Sequence, residues 1–305
     1  MYYLDPATVT DATLLSCSLA AEDQTAAWAA GTYAVGDERH VAATHKVYRC
    51  AVAGSSAVSP PLDPTRWKEL RPTNRWAPFD WYASTQAEDA GADLVYELSA
   101  RYANALAVHN LAGSTARVQM FSGATQVYDS AAQSLQRPAT GYWDYGFGER
   151  QRFDYLLFDG LPLLASARLR ITIAAATGAR RALGSLTFGK LLALHGTDWG
   201  GVQWGAEASP KSYSYRKTAD DGTITYVPRG SGKDITADVV FPEERADAVV
   251  QALEGVIGKP LAWFSSLRPG FAGLSTFGFA TRSPVRYAGP GHSSCSLTIE
   301  GIVSK

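Results

Sequence analysis

Apolar and polar residues alternate along the middle of the chain, and this pattern predicts antiparallel strands. Every second residue is apolar in 94–100 and again in 167–173. A period of two places one face of a strand on a core and the other in solvent. Glycine-containing turns recur between such runs, so residues 74–200 are predicted to form a β-sandwich. We expect the strand at 93–102 to lie at a sheet edge and to pack against a neighbouring subunit.

The last hundred residues combine two periods. Residues 235–241 alternate as a strand, and Pro242 then opens a segment with the three-four spacing of a helix, which Gly258 ends. The apolar positions of this helix are Ala246, Val249, Val250, Leu253, Val256 and Ile257. Further strands are expected at 261–265 and around Cys295 to Ile299. Residues 201–305 are therefore predicted to form a C-terminal β-rich α+β domain.

The first seventy residues divide into two segments. Residues 1–25 show no clear period and are predicted to form an N-terminal strand or arm. Residues 26–71 are a compact block of aromatic and turn residues. Pro72 marks a joint to the next unit, because proline disfavours helix at the residue before it. The predicted fold class is mainly β: a small β module, then a β-sandwich, then the α+β domain.

Composition and charge narrow the classes of function. The chain has 305 residues, 46% of them hydrophobic and 19% charged, so we expect a folded protein. With a net charge of -1, the chain lacks the excess of basic residues that is typical of nucleic-acid-binding proteins. Apolar runs are only as long as strands, and no basic stretch followed by an apolar one opens the chain. We therefore expect neither membrane insertion nor a secretory signal.

Cysteine usage agrees with a reducing compartment. The three cysteines, Cys17, Cys50 and Cys295, are odd in number and widely spaced. They form neither a metal-binding pair nor a disulfide framework. We expect buried or half-buried free thiols in a chain that is made and kept in a cytoplasm.

Patterns for catalysis and metal binding are weak. The five histidines are scattered, and no metal site is expected. The run 230–233, Gly-Ser-Gly-Lys, lacks the first glycine of a Walker motif and the hydroxyl residue after the lysine. Asp144, Asp154 and Asp159 lie near aromatic residues and could supply a glycosidase pair. Apart from that alternative, we expect no catalytic residue, no cofactor and no enzymatic activity.

Aromatic placement in residues 28–70 is the most specific signal. The Trp, Tyr, Gly-Asp, Tyr, Pro-Pro and Trp elements follow one another at characteristic spacings. This order resembles the small carbohydrate-binding modules of the chitin-binding type, families 5 and 12. Because so small a domain buries little surface, four aromatic residues are expected to supply its core: Trp28, Tyr33, Tyr48 and Trp67. The family's sugar-binding rings follow the second Tyr element, but residues 51–56 contain no ring. The resemblance leaves open glycan binding or a docking use of the same fold.

A second resemblance covers the predicted sandwich. Residues 165–173 followed by 183–189 are similar to the late strands of galactose-binding-like, discoidin-type jelly rolls. The resemblance implies ligand binding at loop tips, and the candidate loop is 141–148, where four aromatic residues lie between glycines. Its candidate glycan-binding residues are Tyr142, Trp143, Asp144 and Tyr145, with stacking by the rings and hydrogen bonding to the carboxylate. The alternative is that these rings are buried at an edge of the sandwich.

The order of these units resembles tail proteins of long-tailed bacteriophages and prophages. Residues 74–80, Asn-Arg-Trp-Ala-Pro-Phe-Asp, follow the module as a similar segment does in those proteins, although Pro78 stands where Met is more usual. The C-terminal part is similar in style to distal-tail subunits. The resemblance implies a structural virion protein of the tail tip or baseplate, assembled in the bacterial cytoplasm. Its partners would be copies of itself, other tail subunits and host-surface polysaccharide. The alternatives are a carbohydrate-binding receptor-recognition protein and a polysaccharide hydrolase.

Overall fold

The fold is mainly β, as predicted, with 49% of residues in strands and 11% in helices. The computed structural model describes residues 1–19, 21–82, 84–89, 91–139, 141–149, 152–153, 155–197, 199–218, 220, 222–268 and 270–303. Within these ranges the sheets are antiparallel throughout, apart from one isolated parallel bridge between Ala27 and His40.

The N-terminal segment and the module contain seven short strands. These are β1 (Tyr2–Pro6), β2 (Leu14–Cys17), β3 (Gly31–Tyr33), β4 (Glu38–Val41), β5 (Lys46–Cys50), β6 (Gly54–Ser56) and β7 (Trp67–Pro72). Strands β4, β5 and β7 form one small sheet, and β3 pairs with β6. A core cluster of its own holds the module together, with aromatic rings in place of a larger apolar interior.

Two facing sheets form the sandwich in the middle of the chain. Its elements are β8 (Ala87–Asp89), β9 (Leu94–Ala100), β10 (Ala105–Ala112), β11 (Thr115–Ser122), β12 (Thr125–Asp129), β13 (Gln133–Ser134), α1 (Tyr142–Phe147), β14 (Tyr155–Phe158), β15 (Ala167–Ala174) and β16 (Arg181–Ala193). One sheet has the order β12-β11-β15-β9-β2, and β14, β10 and β16 belong to the other. Strand β15 alternates buried and half-buried residues along its whole length. Its apolar face contributes Leu169, Ile171 and Ile173 to the core between the sheets.

The predicted edge position of residues 93–102 is wrong. Strand β9 has β15 on one side and β2 on the other, where Cys17 pairs with Tyr96. The N-terminal arm therefore supplies the missing partner strand, and β9 offers no open edge to a neighbouring subunit. Local sequence could not reveal this, because β2 lies about eighty residues earlier in the chain.

Among the described residues, a curved sheet, a separate two-stranded hairpin and one α-helix make up the C-terminal part. Its elements are β17 (Gly201–Val202), β18 (Glu207–Ser212), β19 (Tyr215–Thr218), β20 (Ile224–Val227), β21 (Ser231–Phe241), α2 (Ala246–Val256), β22 (Leu261–Phe264), β23 (Ser275–Arg282), β24 (Val285–Gly289) and β25 (His292–Gly301). Helix α2 buries Ala246, Val249, Leu253 and Val256, four of the six residues that its apolar spacing predicts. The prediction is wrong for the other two, because Val250 is half-buried and Ile257, just after the helix, is 58% exposed. A 3-10 turn over Glu243–Arg245 precedes the helix, so regular α-helix begins four residues after Pro242.

Strand β1 joins the sandwich to the C-terminal part. It pairs with β16 on one side and β22 on the other, where Tyr3 opposes Trp263. A 12-stranded sheet thus passes the predicted boundary near residue 200 without a break. Gly189 is required where the strands meet, because a Cβ atom there would lie 2.0 Å from the Asp5 carbonyl oxygen. The division of the chain into four segments stays a prediction.

Ion pairs and one ring stack fix the base of the module. We call these residues the neck: Glu22, Asp23, His45, Arg71 and Trp76. Arg71 Nη1 donates to Asp23 Oδ2 at 2.6 Å, where the chain enters and leaves the module. His45 stacks on Trp76 with ring centroids 3.9 Å apart, and its Nδ1 lies 2.8 Å from Glu22 Oε1. The module is therefore fastened to the sandwich by side chains as well as by the chain itself.

Candidate functional site

The four aromatic residues predicted for the module lie together in its interior. Tyr33, Tyr48 and Trp67 are buried, and Trp28 is half-buried against them. The rings of Tyr33 and Trp67 meet edge to face at 4.9 Å, and Trp67 Nε1 donates to Ser56 Oγ at 3.1 Å. The buried rings stabilise the module and are not open to stacking on a sugar.

The predicted aromatic loop is a short helix. Two backbone hydrogen bonds of the helical type define α1 between Gly141 and Gly148. Tyr145 N donates to Gly141 O at 2.9 Å, and Gly148 N donates to Asp144 O at 3.0 Å. We call this element, Tyr142–Phe147, the aromatic helix. Its regular backbone differs from the loop that the flanking glycines indicated.

The aromatic side chains of the aromatic helix point into solvent. Tyr142 is 98% exposed and Trp143 77% exposed, and Tyr145 and Phe147 are also exposed. Asp144 is half-buried. The rings of Trp143 and Phe147 contact each other at 4.6 Å between centroids. The interpretation that these rings are buried at a sandwich edge is therefore wrong. The predicted glycan-binding residues form an open aromatic surface that could contact sugar or protein.

A second aromatic surface was not singled out from the sequence. Strands β19 and β20 form a hairpin, and among the described strands they pair only with each other. Large apolar side chains are exposed on both faces. Tyr215 opposes Val227 on one face, while Ile224 and Tyr226, 54% and 60% exposed, lie on the other. The alternation of Thr-Ile-Thr-Tyr-Val in 223–227 was the available signal for a strand.

The base of this hairpin is fastened by hydrogen bonds to one serine. Arg229 N donates to Ser214 Oγ at 3.0 Å, and Tyr226 OH lies 3.3 Å from the same atom. Tyr213 N donates to Gly230 O at 3.1 Å. The hairpin is thus an ordered extension of β18 and β21. An isolated two-stranded hairpin is at best marginally stable in water. Contacts that cover its exposed apolar faces would therefore stabilise it.

The carboxylates of the glycosidase alternative occupy separate elements. Asp144 lies in the aromatic helix and Asp159 follows β14, whereas Asp154 lies outside the described residues. The alternative stays a prediction.

Several strongly shifted pKa values belong to groups away from both aromatic surfaces. Burial lowers the pKa of the Met1 amine to about 5 and raises that of the Cys295 thiol to about 11. At Asp23, burial alone would raise the pKa, but hydrogen bonds from Arg71, Thr25 and Asn74 outweigh it and lower the pKa to about 2. These shifts follow from packing and ion pairing, and they do not mark acid–base chemistry at the aromatic surfaces.

Comparison with known proteins gives no further guide. No protein-family model matches the sequence, and no curated protein matches it. Among the residues that the structure describes, no group of three His, Cys, Asp or Glu side chains could hold a metal ion. In the same part of the chain, no helix has the length and apolar character needed to span a membrane.

Proposed function

We propose that the chain is a structural subunit of the tail tip or baseplate of a long-tailed bacteriophage. It binds copies of itself and other tail proteins, and it has no catalytic role. The observation that supports this most directly is the hairpin of β19 and β20, which exposes large apolar side chains on both faces. Soluble monomers rarely leave such surfaces open, whereas assembly subunits bury them against neighbours.

A neighbouring subunit that covers the hairpin would remove its exposed apolar side chains from water. Transfer of apolar surface out of water is favourable in proportion to the area removed. A neighbour that encloses the hairpin would bury Tyr215 and Val227 together with Ile224 and Tyr226. Arg216 and Lys217 lie beside these residues and are exposed, as expected for the polar rim of an interface.

The rest of the fold suits a subunit that holds its shape in an assembly. The sheet that contains β1 connects the sandwich with the C-terminal part. The neck fastens the module through Asp23 and Arg71. A rigid subunit loses little further conformational entropy when it binds its neighbours. The module then serves as a docking or glycan-contacting attachment.

Incorporation into particles tests this function. The double variant Ile224→Ser/Tyr226→Ser removes one apolar face of the hairpin. The matched control is Val35→Ser, which changes an apolar residue on the module that is 66% exposed. Each chain would be produced in bacteria carrying the phage without its own copy, and purified particles would be quantified by mass spectrometry. We expect wild type and Val35→Ser in the particles, and at least a tenfold loss of the double variant.

Two results would contradict the proposal. One is the absence of the wild-type chain from purified particles although it accumulates in the lysate. The other is equal incorporation of the hairpin double variant, which would remove the observation that supports the proposal.

The aromatic helix favours a second candidate function, a carbohydrate-binding receptor-recognition protein. Its exposed rings could stack on sugar rings. The isolated protein should then bind cells or glycans and lose that binding in the variant Trp143→Ala. A tail subunit that uses the aromatic helix for protein contacts would show no such loss.

A further inference from the structure

A small groove lies where five parts of the chain meet. Its volume is about 260 Å³. The walls come from the segment after β1, the 3-10 turn Ala77–Phe79 with the two residues after it, the segment between α2 and β22, the middle of β16 and one residue of β23. Ligand sites form preferentially where separate structural units meet, and none of the predicted site residues lies here.

A gap in the sheet forms one side of the groove. Strand β16 has β10 on one side along most of its length. On its other side β8 pairs with residues 181–183 and β1 pairs with residues 189–193, while Ala7 N donates to Phe188 O at 2.8 Å. Among the strands that the structure describes, none pairs with residues 184–187 on that side. Three of them, Ser185 to Thr187, line the groove.

The size of the gap limits what can bind. Four residues of a strand span about 13 Å, and strands β8 and β1 close the two ends. An extended peptide that added to the sheet here would have only these four residues for pairing, with β8 and β1 at its two ends. The volume also lies just below the range of roughly 300–1,000 Å³ that is usual for small-molecule sites. The groove therefore fits a single compact ring.

Two polar side chains in the groove have hydrogen-bonding positions that contacts within the protein leave open. Asp80 accepts from Tyr82 N at 2.8 Å and from the Thr85 hydroxyl, and a carboxylate has about four acceptor positions. Lys259 Nζ donates to Gly255 O at 3.0 Å, and an ammonium group has three donors. Both side chains thus retain capacity for hydrogen bonds to a ligand.

Aromatic surface completes the groove. Trp81 is 61% exposed at its rim, and Phe79 and Phe277 contribute further apolar wall. The groove's one carboxyl and one ammonium group balance in charge. Burial raises the pKa of Asp80 to about 6, so its carboxyl group is still mostly ionised at neutral pH and its charge offsets that of Lys259. A neutral ligand with many hydroxyl groups and one apolar ring face matches this set.

We propose that this groove binds one sugar ring of a glycan, with Trp81 stacking on the ring and Asp80 and Lys259 bonding its hydroxyl groups. The proposal deepens the proposed function, and it rests on that function only for the source of the glycan, the host surface. It places sugar binding at a site distinct from the aromatic helix and from the interior of the module.

Binding of oligosaccharides to the full chain tests the inference. The probes are neutral tetrasaccharides of glucose, galactose and N-acetylglucosamine, measured by isothermal titration calorimetry. We expect one of them to bind and the variant Trp81→Ala to weaken it at least tenfold. Asp80→Asn should weaken it several-fold, because a charge-assisted hydrogen bond is lost. The matched controls Trp143→Ala and Trp204→Ala each remove another exposed indole and should leave affinity unchanged.

Three results would overturn the inference. They are no binding of any probe at millimolar concentration, unchanged binding by Trp81→Ala, and loss of binding by Trp143→Ala in its place. Thermal unfolding of each variant shows whether the fold is kept, and Asp80→Asn provides a second readout if Trp81→Ala is unstable. The proposed function fails separately, through absence of the chain from particles, so the two failures are distinguishable.

Discussion

Removal of the Asp23 charge should weaken the neck measurably. The Asp23 side chain is only 1% exposed. It accepts hydrogen bonds from Arg71, from the backbone and hydroxyl of Thr25, and from the backbone of Asn74, all between 2.6 and 3.1 Å. The variant Asp23→Asn keeps the size of the side chain but removes its charge. It also turns an amide NH₂ group toward donors, which leaves at least one of them unpaired.

The magnitude follows from the pKa of the carboxyl group. Burial would raise this pKa, yet the hydrogen bonds outweigh burial and lower it from 3.8 to about 2. One pKa unit corresponds to about 1.4 kcal/mol, so ionised Asp23 stabilises the fold by about 2 kcal/mol at neutral pH. Because the folded-state pKa is depressed, this contribution is present above pH 3.8 and is lost as the pH falls through about 2.

Asp129, a carboxylate with a similarly low pKa that lies at the surface, provides the control. The pKa of Asp129 is also lowered to about 2, first by its hydrogen bond from Arg117. That pair lies at the surface, where ion pairs contribute little. Urea unfolding at pH 7 should therefore show a large loss for Asp23→Asn and a much smaller one for Asp129→Asn. The loss for Asp23→Asn should shrink between pH 4 and pH 2. Equal losses in the two variants at pH 7 would refute the reasoning.

Three further predictions concern the module core, a thiol and the groove. Trp67→Ala should lower the free energy of unfolding by about 3–5 kcal/mol, since Trp67 is 1% exposed. Limited proteolysis of this variant should then cut within 26–71 while the sandwich resists. An unchanged digestion pattern would contradict this prediction. Cys295, with its pKa raised by burial to about 11, should react with a disulfide reagent at pH 8 only after unfolding, and rapid labelling of the native protein would count against its burial. The pKa of Asp80 is raised above its unfolded value to about 6 by burial, so its stabilising contribution is present below pH 3.8 and lost as pH rises through about 6. Asp80→Asn should therefore melt at a higher temperature than wild type at pH 8 but not at pH 3.5, and the same difference at both pH values would show that ionisation is not the cause.

The sequence pattern predicted those features that depend on residues close together in the chain. The alternation in 167–173 predicted β15 with its apolar face inward, and the three-four spacing predicted the four buried residues of α2 together with two that are not fully buried. In both cases each residue's position depends mainly on its neighbours within a few positions.

Pairing between distant segments was not accessible in the same way. Nothing in residues 1–25 indicates that β1 lies between β16 and β22, or that β2 covers β9, because strand partners are chosen by the whole fold. The groove depends on the same non-local pairing: its open edge exists only because β8 and β1 leave residues 184–187 uncovered. The sequence likewise indicated aromatic residues in 141–148 but did not decide between burial and exposure.

The most direct test of the proposed function is where the protein lies in the particle. Phage particles released from induced bacteria would be labelled with antibody against this chain and gold, and imaged by electron microscopy. The proposal predicts gold at the distal end of the tail. Particles without label, although the protein is present in the lysate, would contradict a role as a tail-tip subunit.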